Sequence, residues 1–226
     1  MTNVVPKVMV KVRGTEFLWY LVSWLNRNRI NDLVICSGHL SEEIARKLSC
    51  CPCRGARLTL SFERHPLGTA GAVKNAKPLL ADEFILINGD TFLPVCYSAI
   101  LSRWQEIRDR FDSLLLVYTN DDKIAPNDTA IDDNNVVVAY SKRNPEAMRL
   151  VNAGLLIVKK SVFESLADDV PVSLEEDVFP DLVRQRKMAA LLTRERYYDI
   201  GLPERLKAFE EYVDRHPEVV PKRAPS

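Results

Sequence analysis

The chain has no surplus of charge. Lysine plus arginine number 31, and aspartate plus glutamate number 31. Neither the basic surface expected of a nucleic-acid binder nor an acidic tail is therefore present. No apolar run approaches the length of a membrane span. The first residues, MTNVVPKVMVKVR, lack a basic segment followed by an apolar core. No secretory signal is visible, and the cytoplasm is the expected compartment. There are five cysteines but no paired CxxC motifs, whereas zinc sites usually show two spaced ligand pairs. The cluster Cys50-Cys51-Pro52-Cys53 therefore reads as reduced thiols in a surface loop. The aspartates between Asp121 and Asn135 lack the glycine and terminal glutamate of an EF-hand. They read as a solvated hairpin with Asp-rich and Pro-Asn turns. No repeat or linker appears, and no side chain stands out as a covalent nucleophile.

What is there suits one compact α/β domain. The chain has 226 residues, 46% of them hydrophobic, enough for a sizeable core. Its most informative stretch is Phe62 to Phe92, FERHPLGTAGAVKNAKPLLADEFILINGDTF. A glycine-rich turn, Gly68-Thr69-Ala70-Gly71-Ala72, runs into a helix. Such a turn offers free backbone N–H groups to an anion or a base edge. An apolar strand, Phe84 to Ile87, follows and ends on Asn88-Gly89-Asp90. Its composition suits a buried parallel strand, and a carboxylate at its C-terminal end would lie where α/β sheets bind ligands. Together these features propose a nucleotide and a divalent metal.

The rest of the chain reads as alternating helices and strands. Phe17, Leu18, Leu21, Val22, Trp24 and Leu25 recur at helical spacing in Thr15 to Arg29. Helices are also expected at 41–48, 70–79, 100–110 and 206–213. Strands are expected at 33–36, 57–63, 113–119, 136–140 and 155–158. Ser173-Leu174-Glu175-Glu176-Asp177 reads as an N-cap with an acidic first turn. His39, at a strand end, reads as a turn residue rather than a catalyst.

PLGTAGA followed by a strand and NGD resembles the sugar-phosphate nucleotidyltransferases, which join a nucleoside triphosphate to a sugar 1-phosphate and release pyrophosphate. The resemblance extends over nearly the whole chain. It is nearest to the branch of heptose 1-phosphate and mannose-1-phosphate guanylyltransferases. Pro6, Lys7 and Met9 match a Pro-Lys-x-Met segment whose lysine reaches the phosphates. Lys142 matches the lysine of Glu-Lys-Pro, with Ser141 in place of the glutamate. Asn152-Ala153-Gly154 matches Asn-Ala-Gly, and Asp199-Ile200-Gly201-Leu202-Pro203-Glu204 matches Asp-Ile-Gly-x-Pro-Glu. The resemblance implies a Rossmann-like, doubly wound α/β domain over 1–215, with a mixed, mostly parallel sheet flanked by helices and a tail over 216–226. It implies Asp90 and Asp199 as Mg²⁺ ligands, with Lys7, Asp90 and Asp199 catalytic. Gly68, Thr69, Gly71, Asn88 and Gly89 would contact the nucleotide, GTP being favoured. Lys142, Asn152, Gly154 and Glu175 would hold the sugar phosphate. A homo-oligomer is a further expectation.

One family feature has no copy in this sequence. The first strand and its glycine-rich loop, G-x-G-T-R, should precede Pro-Lys-x-Met; the arginine of that loop helps the pyrophosphate leave. Met1 is therefore expected to be an internal methionine of a longer protein, and an intact mass from the native source equal to the chain as written would refute this. The chain as written is expected to turn over weakly or not at all. Two other readings stay open: a catalytically silent nucleotide- or sugar-phosphate-binding protein of this fold, and an NDP-sugar-dependent glycosyltransferase.

Overall fold

The computed structural model describes residues 6–38, 41–48, 51, 53 and 55–221. His39, Leu40, Cys50 and Pro52 lie outside the described residues, as do 222–226 of the expected tail. The polypeptide forms two compact units. One is Met1–Pro66, Gly89–Pro94 and Tyr197–Ser226; the other is Leu67–Asn88 and Val95–Arg196. Elements are numbered in chain order.

The first unit opens on a 3-10 turn, Lys7–Met9, and a two-residue hairpin of β1 (Lys11–Val12) and β2 (Thr15–Glu16). Arg13 and Gly14 turn the hairpin with φ of 47° and 83°, the left-handed pair that a tight hairpin requires. Helix α1 (Phe17–Arg27) therefore begins two residues later than its periodicity predicts. Its apolar residues serve two clusters. Phe17 and Tyr20 meet Phe92, Ile200, Phe209 and Val213. Leu18, Trp19 and Val22 meet Met9 and Ile44. Strands β3 (Asp32–Ser37) and β4 (Arg57–Phe62) pair in parallel, with α2 (Ser41–Leu48) between them in sequence. Cys51 and Cys53 pack partly buried against the second cluster. Burial first, and then neighbouring Cys51, pushes the Cys53 thiol up to about 12. Both are free thiols outside helix and strand, as expected, but they pack partly buried instead of lying at the surface.

Phe209 lies on α6 (Pro203–Arg215) and is fully buried. It touches Phe17 edge-on at 5.1 Å and Phe92 at 5.1 Å. Phe92 belongs to β6 (Thr91–Phe92), which pairs antiparallel with β12 (Tyr198–Asp199). The aromatic cluster thus fixes the two short strands beside Asp90 and Asp199. Beyond α6, Pro217–Val219 makes a 3-10 turn, Val219 is buried, and Arg27 donates to the Val220 carbonyl at 2.9 Å. This part of the tail is anchored.

The second unit is built on a four-stranded sheet of order β11-β7-β10-β5. Its strands are β5 (Glu83–Ile87), β7 (Ser113–Tyr118), β10 (Val151–Lys159) and β11 (Met188–Thr193). β10 runs antiparallel to both β5 and β7, while β11 is parallel to β7. The sheet is mixed, as expected, with three strands pointing one way. Every residue of β7 is buried, as its unbroken apolar run predicts. The core beneath gathers Leu115, Val117, Leu156, Val158, Phe163 and Phe179. The helices of this unit are α3 (Gly68–Ala76), α4 (Tyr97–Ile107) and α5 (Phe179–Arg184).

Two expectations fail here. The Phe84–Ile87 run is neither fully buried nor paired in parallel. Among the described strands it pairs only with β10, so its side chains stay partly exposed. The 121–135 segment is not a wholly solvated hairpin. It contains β8 (Thr129–Ile131), paired with β9 (Val137–Tyr140), and Asp128 within it is only 6% exposed.

Candidate active site

The first unit brings together Lys7, Gly89, Asp90 and Asp199. In the register of β6 and β12, Asp199 lies opposite Thr91. Ile200 N–H donates to the Asp90 carbonyl at 3.1 Å, so Asp90 and Asp199 sit one residue out of direct register on paired segments. The Thr91 hydroxyl reaches Asp90 Oδ1 at 3.4 Å. Asp199 is held from both sides: Gly201 N–H donates to Oδ1 at 3.0 Å, and Arg205 Nη1 donates to Oδ2 at 2.8 Å. Val8 Cγ1 would lie 3.4 Å from a Cβ on Gly89, which puts the Lys7 turn beside Gly89 and Asp90. Lys7 is exposed and has no ion-pair partner among the described residues. Arg205 is a residue the sequence did not single out. Its signal was available: a cation in the first turn of the helix that follows the Asp-Ile-Gly motif.

The donor set suits Mg²⁺, which is commonly held by one or two carboxylates with water and substrate phosphates completing its shell. Two carboxylates stand on adjacent segments here. Each Asp199 oxygen accepts one hydrogen bond and keeps lone-pair capacity. Among the described residues no three His, Cys, Asp or Glu side chains form a group able to hold a metal without such help.

The second unit brings together the residues expected to hold the sugar phosphate. Lys142 follows β9, and its Nζ is 2.5 Å from Glu175 Oε2. Asn152 Nδ2 donates to Glu175 Oε1 at 3.4 Å, and Gly154 N–H donates to Asn152 Oδ1 at 2.9 Å. Gly154, at φ +80°, lies within a bulge of β10 where the pairing with β7 shifts between Asn152 and Leu156. Glycine there permits the backbone to leave the ladder. Glu175 belongs to a π-helical turn, Leu174–Val178. Ser173 caps that turn: its Oγ accepts from Glu176 N–H at 3.1 Å, while its own N–H donates to Asp177 Oδ2 at 2.7 Å. The N-cap expectation holds at Ser173, with the π turn replacing a regular first helical turn.

The glycine turn joins this network. Leu174 N–H donates to Thr69 Oγ1 at 2.8 Å, and Asn88 N–H donates to the Gly154 carbonyl at 3.0 Å. The expectation of free N–H groups fails at two positions. Ala70 N–H and Gly71 N–H both donate to the Val172 carbonyl, at 2.9 and 3.2 Å. The glycines answer to that close approach. A Cβ on Gly71 would lie 2.9 Å from the Val170 carbonyl oxygen, so Gly71 first serves packing. Of the turn's N–H groups, those of Ala70 and Gly71 are therefore already engaged.

Sequence reasoning also missed Asp128 and Tyr140. Asp128 Oδ1 accepts from Thr129 Oγ1 at 2.7 Å and from Asn152 N–H at 2.8 Å. Burial is the main cause holding its carboxyl above the usual range. Tyr140 packs edge-on against Phe179 at 5.0 Å, and its buried hydroxyl, near Asn152 and Glu175, makes no hydrogen bond of good geometry among the described residues. Burial, with Asp128 and Glu175 nearby, raises that phenol. Tyr140→Phe keeps the ring contact and removes an unsatisfied polar atom. We expect it to leave stability unchanged or raise it by about 1 kcal/mol, as read by denaturant unfolding. A clear loss of stability would show that the hydroxyl has a partner.

A family model described as Nucleotidyl transferase matches residues 1–215, and the chain belongs to that family. It is 24% identical over 201 residues to D-glycero-alpha-D-manno-heptose 1-phosphate guanylyltransferase of Campylobacter jejuni, covering 88% of this chain and 87% of that protein. The enzyme of the same description from Aneurinibacillus thermoaerophilus is 26% identical over 200 residues, covering 88% and 85%. Among solved structures, HddC from Yersinia pseudotuberculosis complexed with GMP-PN superposes with a TM-score of 0.79 at 26% identity, covering 94% of this chain and 92% of that one. The mixed α/β class expected from sequence is that of these neighbours. Among the described residues no helix is long and apolar enough to cross a membrane.

Proposed function

We propose that this chain transfers a guanylyl group from GTP to a sugar 1-phosphate of manno configuration, heptose or mannose, giving a GDP-sugar and pyrophosphate. The observation that carries this reading is the linked set Lys142–Glu175–Asn152–Gly154. It pairs a cation for a phosphate with a carboxylate and a carboxamide for sugar hydroxyls. The relatives described as guanylyltransferases of heptose and mannose 1-phosphate support the choice of base and sugar.

In this reading Glu175 and Asn152 orient the sugar through its hydroxyls. Lys142 sits against Glu175 and gives its positive charge to the sugar phosphate. Gly68 and Thr69, with Asn88 and Gly89, receive the nucleotide. Lys7, exposed and without an ion-pair partner among the described residues, neutralises triphosphate charge. Asp90 and Asp199 would hold Mg²⁺, which supplies charge stabilisation to the developing pyrophosphate. The reaction joins two anions, so positioning and charge neutralisation dominate it, and no covalent nucleophile is needed.

The test is pyrophosphate release with Mg²⁺, with GTP, CTP, UTP, dTTP and ATP each offered mannose, glucose and heptose 1-phosphates. Release that requires both GTP and a manno sugar is the expected result. Release with a different pair would replace the substrates named. Binding of GDP-mannose without any release would favour the silent-binder reading, and the absence of both would overturn the proposal.

A further inference from the structure

We propose that Asp128 is a positioning residue of the sugar pocket, acting through Asn152. This rests on the function proposed above. Asp128 lies in a stretch whose polarity reads as solvated, yet its side chain is buried. One carboxylate oxygen takes two donors, the Thr129 hydroxyl and the Asn152 backbone N–H. Its backbone works in two further directions. Asp128 N–H donates to the Leu150 carbonyl at 2.9 Å, and Ser141 N–H donates to the Asp128 carbonyl at 2.8 Å. Ser141 precedes Lys142. A single residue therefore ties the end of β9, which carries the sugar-phosphate lysine, to the start of β10, which carries the sugar asparagine.

The reason the tie is needed lies in the bulge. Between Asn152 and Leu156 the ladder from β10 to β7 loses its register. Backbone at a bulge is no longer fixed by regular pairing. Asn152 is the last residue in register with Val117 before that break, and Asp128 fixes it there through its N–H. The Asn152 side chain, whose Oδ1 accepts from Gly154 N–H, restrains the backbone inside the bulge. With its N–H held by Asp128, Asn152 presents its carboxamide to Glu175 in one orientation. Released, it would keep its chemistry and lose its aim. A buried carboxylate beside Glu175 also disfavours a second negative charge nearby. The cluster tolerates it because Lys142 and the two hydrogen-bond donors offset it.

The test separates the sugar from the nucleotide without needing turnover. Dissociation constants for GDP, GDP-mannose and GDP-D-glycero-D-manno-heptose are measured by titration calorimetry on the full chain. The ratio of GDP-sugar to GDP affinity isolates the sugar. Asp128→Ala should lower that ratio roughly tenfold, the usual scale for removing a group that orients a contacting residue, and leave the GDP constant unchanged. Asp128→Asn keeps the Oδ1 acceptor and should restore most of the ratio. In an Asn152→Ala background, Asp128→Ala should cause no further loss. Should Asp128→Ala not fold, Asp128→Ser, too short to take both donors, carries the same comparison. Additive losses in the double variant, an equal loss in Asp128→Asn, or a ratio unchanged by Asp128→Ala would each overturn the inference. If Asn152→Ala alone leaves the ratio untouched, or the parent chain binds none of the three ligands, the reading of the sugar pocket itself has failed.

Discussion

Asp199→Asn is expected to reduce pyrophosphate release by about 10³-fold, with both substrates still bound. Asparagine keeps the oxygen that accepts from Gly201 N–H, so the local turn should survive. It loses the charge that would hold the metal against two phosphates. Metal stabilisation is worth several kcal/mol, and each 1.36 kcal/mol is about tenfold in rate. The same change also breaks the ion pair with Arg205. Both partners are partly solvated, and such pairs contribute about 0–1 kcal/mol to stability, so the melting temperature should move little. Arg205→Gln breaks the pair while leaving the carboxylate, and should cost far less activity than Asp199→Asn. Equal losses in the two variants would place the importance in the pair instead of the metal-holding oxygen.

Gly68→Ala should destabilise the protein by about 2–4 kcal/mol, through two separate effects. Gly68 has φ +68°, and a Cβ there would lie 2.5 Å from the Val172 carbonyl oxygen and 3.0 Å from its carbon. The left-handed conformation costs a non-glycine residue roughly 1–2 kcal/mol, and overpacking adds about 1–3 kcal/mol. The clash is with backbone that cannot swing aside, since Val172 oxygen already accepts from Ala70 and Gly71. For a chain of this size the loss corresponds to a fall in melting temperature of roughly 5–15 °C. Gly71→Ala, without a positive φ, should cost less. The reverse order, or a Gly68→Ala protein melting within about 2 °C of the parent on that scale, would show that segment 170–172 yields easily.

The positions that the sequence revealed are those where chemistry or backbone admits few residue types. Gly68, Asp90, Gly154 and Asp199 fall in motifs that cannot be spelled many ways, and each occupies a corner, bulge or strand end. Ser173 was legible because a short hydroxyl before acidic residues has a local job that needs no distant partner. Asp128 was not legible, because what matters about it is tertiary, whereas Arg205 carried a local signal in its place just after the Asp-Ile-Gly motif. A carboxylate among turn formers gives no local sign that it will be buried under a strand bulge. The edge position of β5 was hidden for the opposite reason. Phe84 to Ile87 have the apolar run of a central strand, and composition does not say how many neighbours a strand finds.

The hydrogen bond from Leu174 N–H to Thr69 Oγ1 makes the glycine turn and the Glu175 turn one mechanical piece. On the function proposed above, a nucleotide that stiffened the first would also stiffen the second, and a sugar phosphate gripped by Glu175 would do the reverse. The ordering of residues 172–175 would then be borne by whichever ligand arrived first. Linkage would make any such benefit reciprocal, each ligand changing the affinity of the other by the same factor. One hydroxyl on a glycine turn would thereby let the two substrates sense each other before any bond is made or broken.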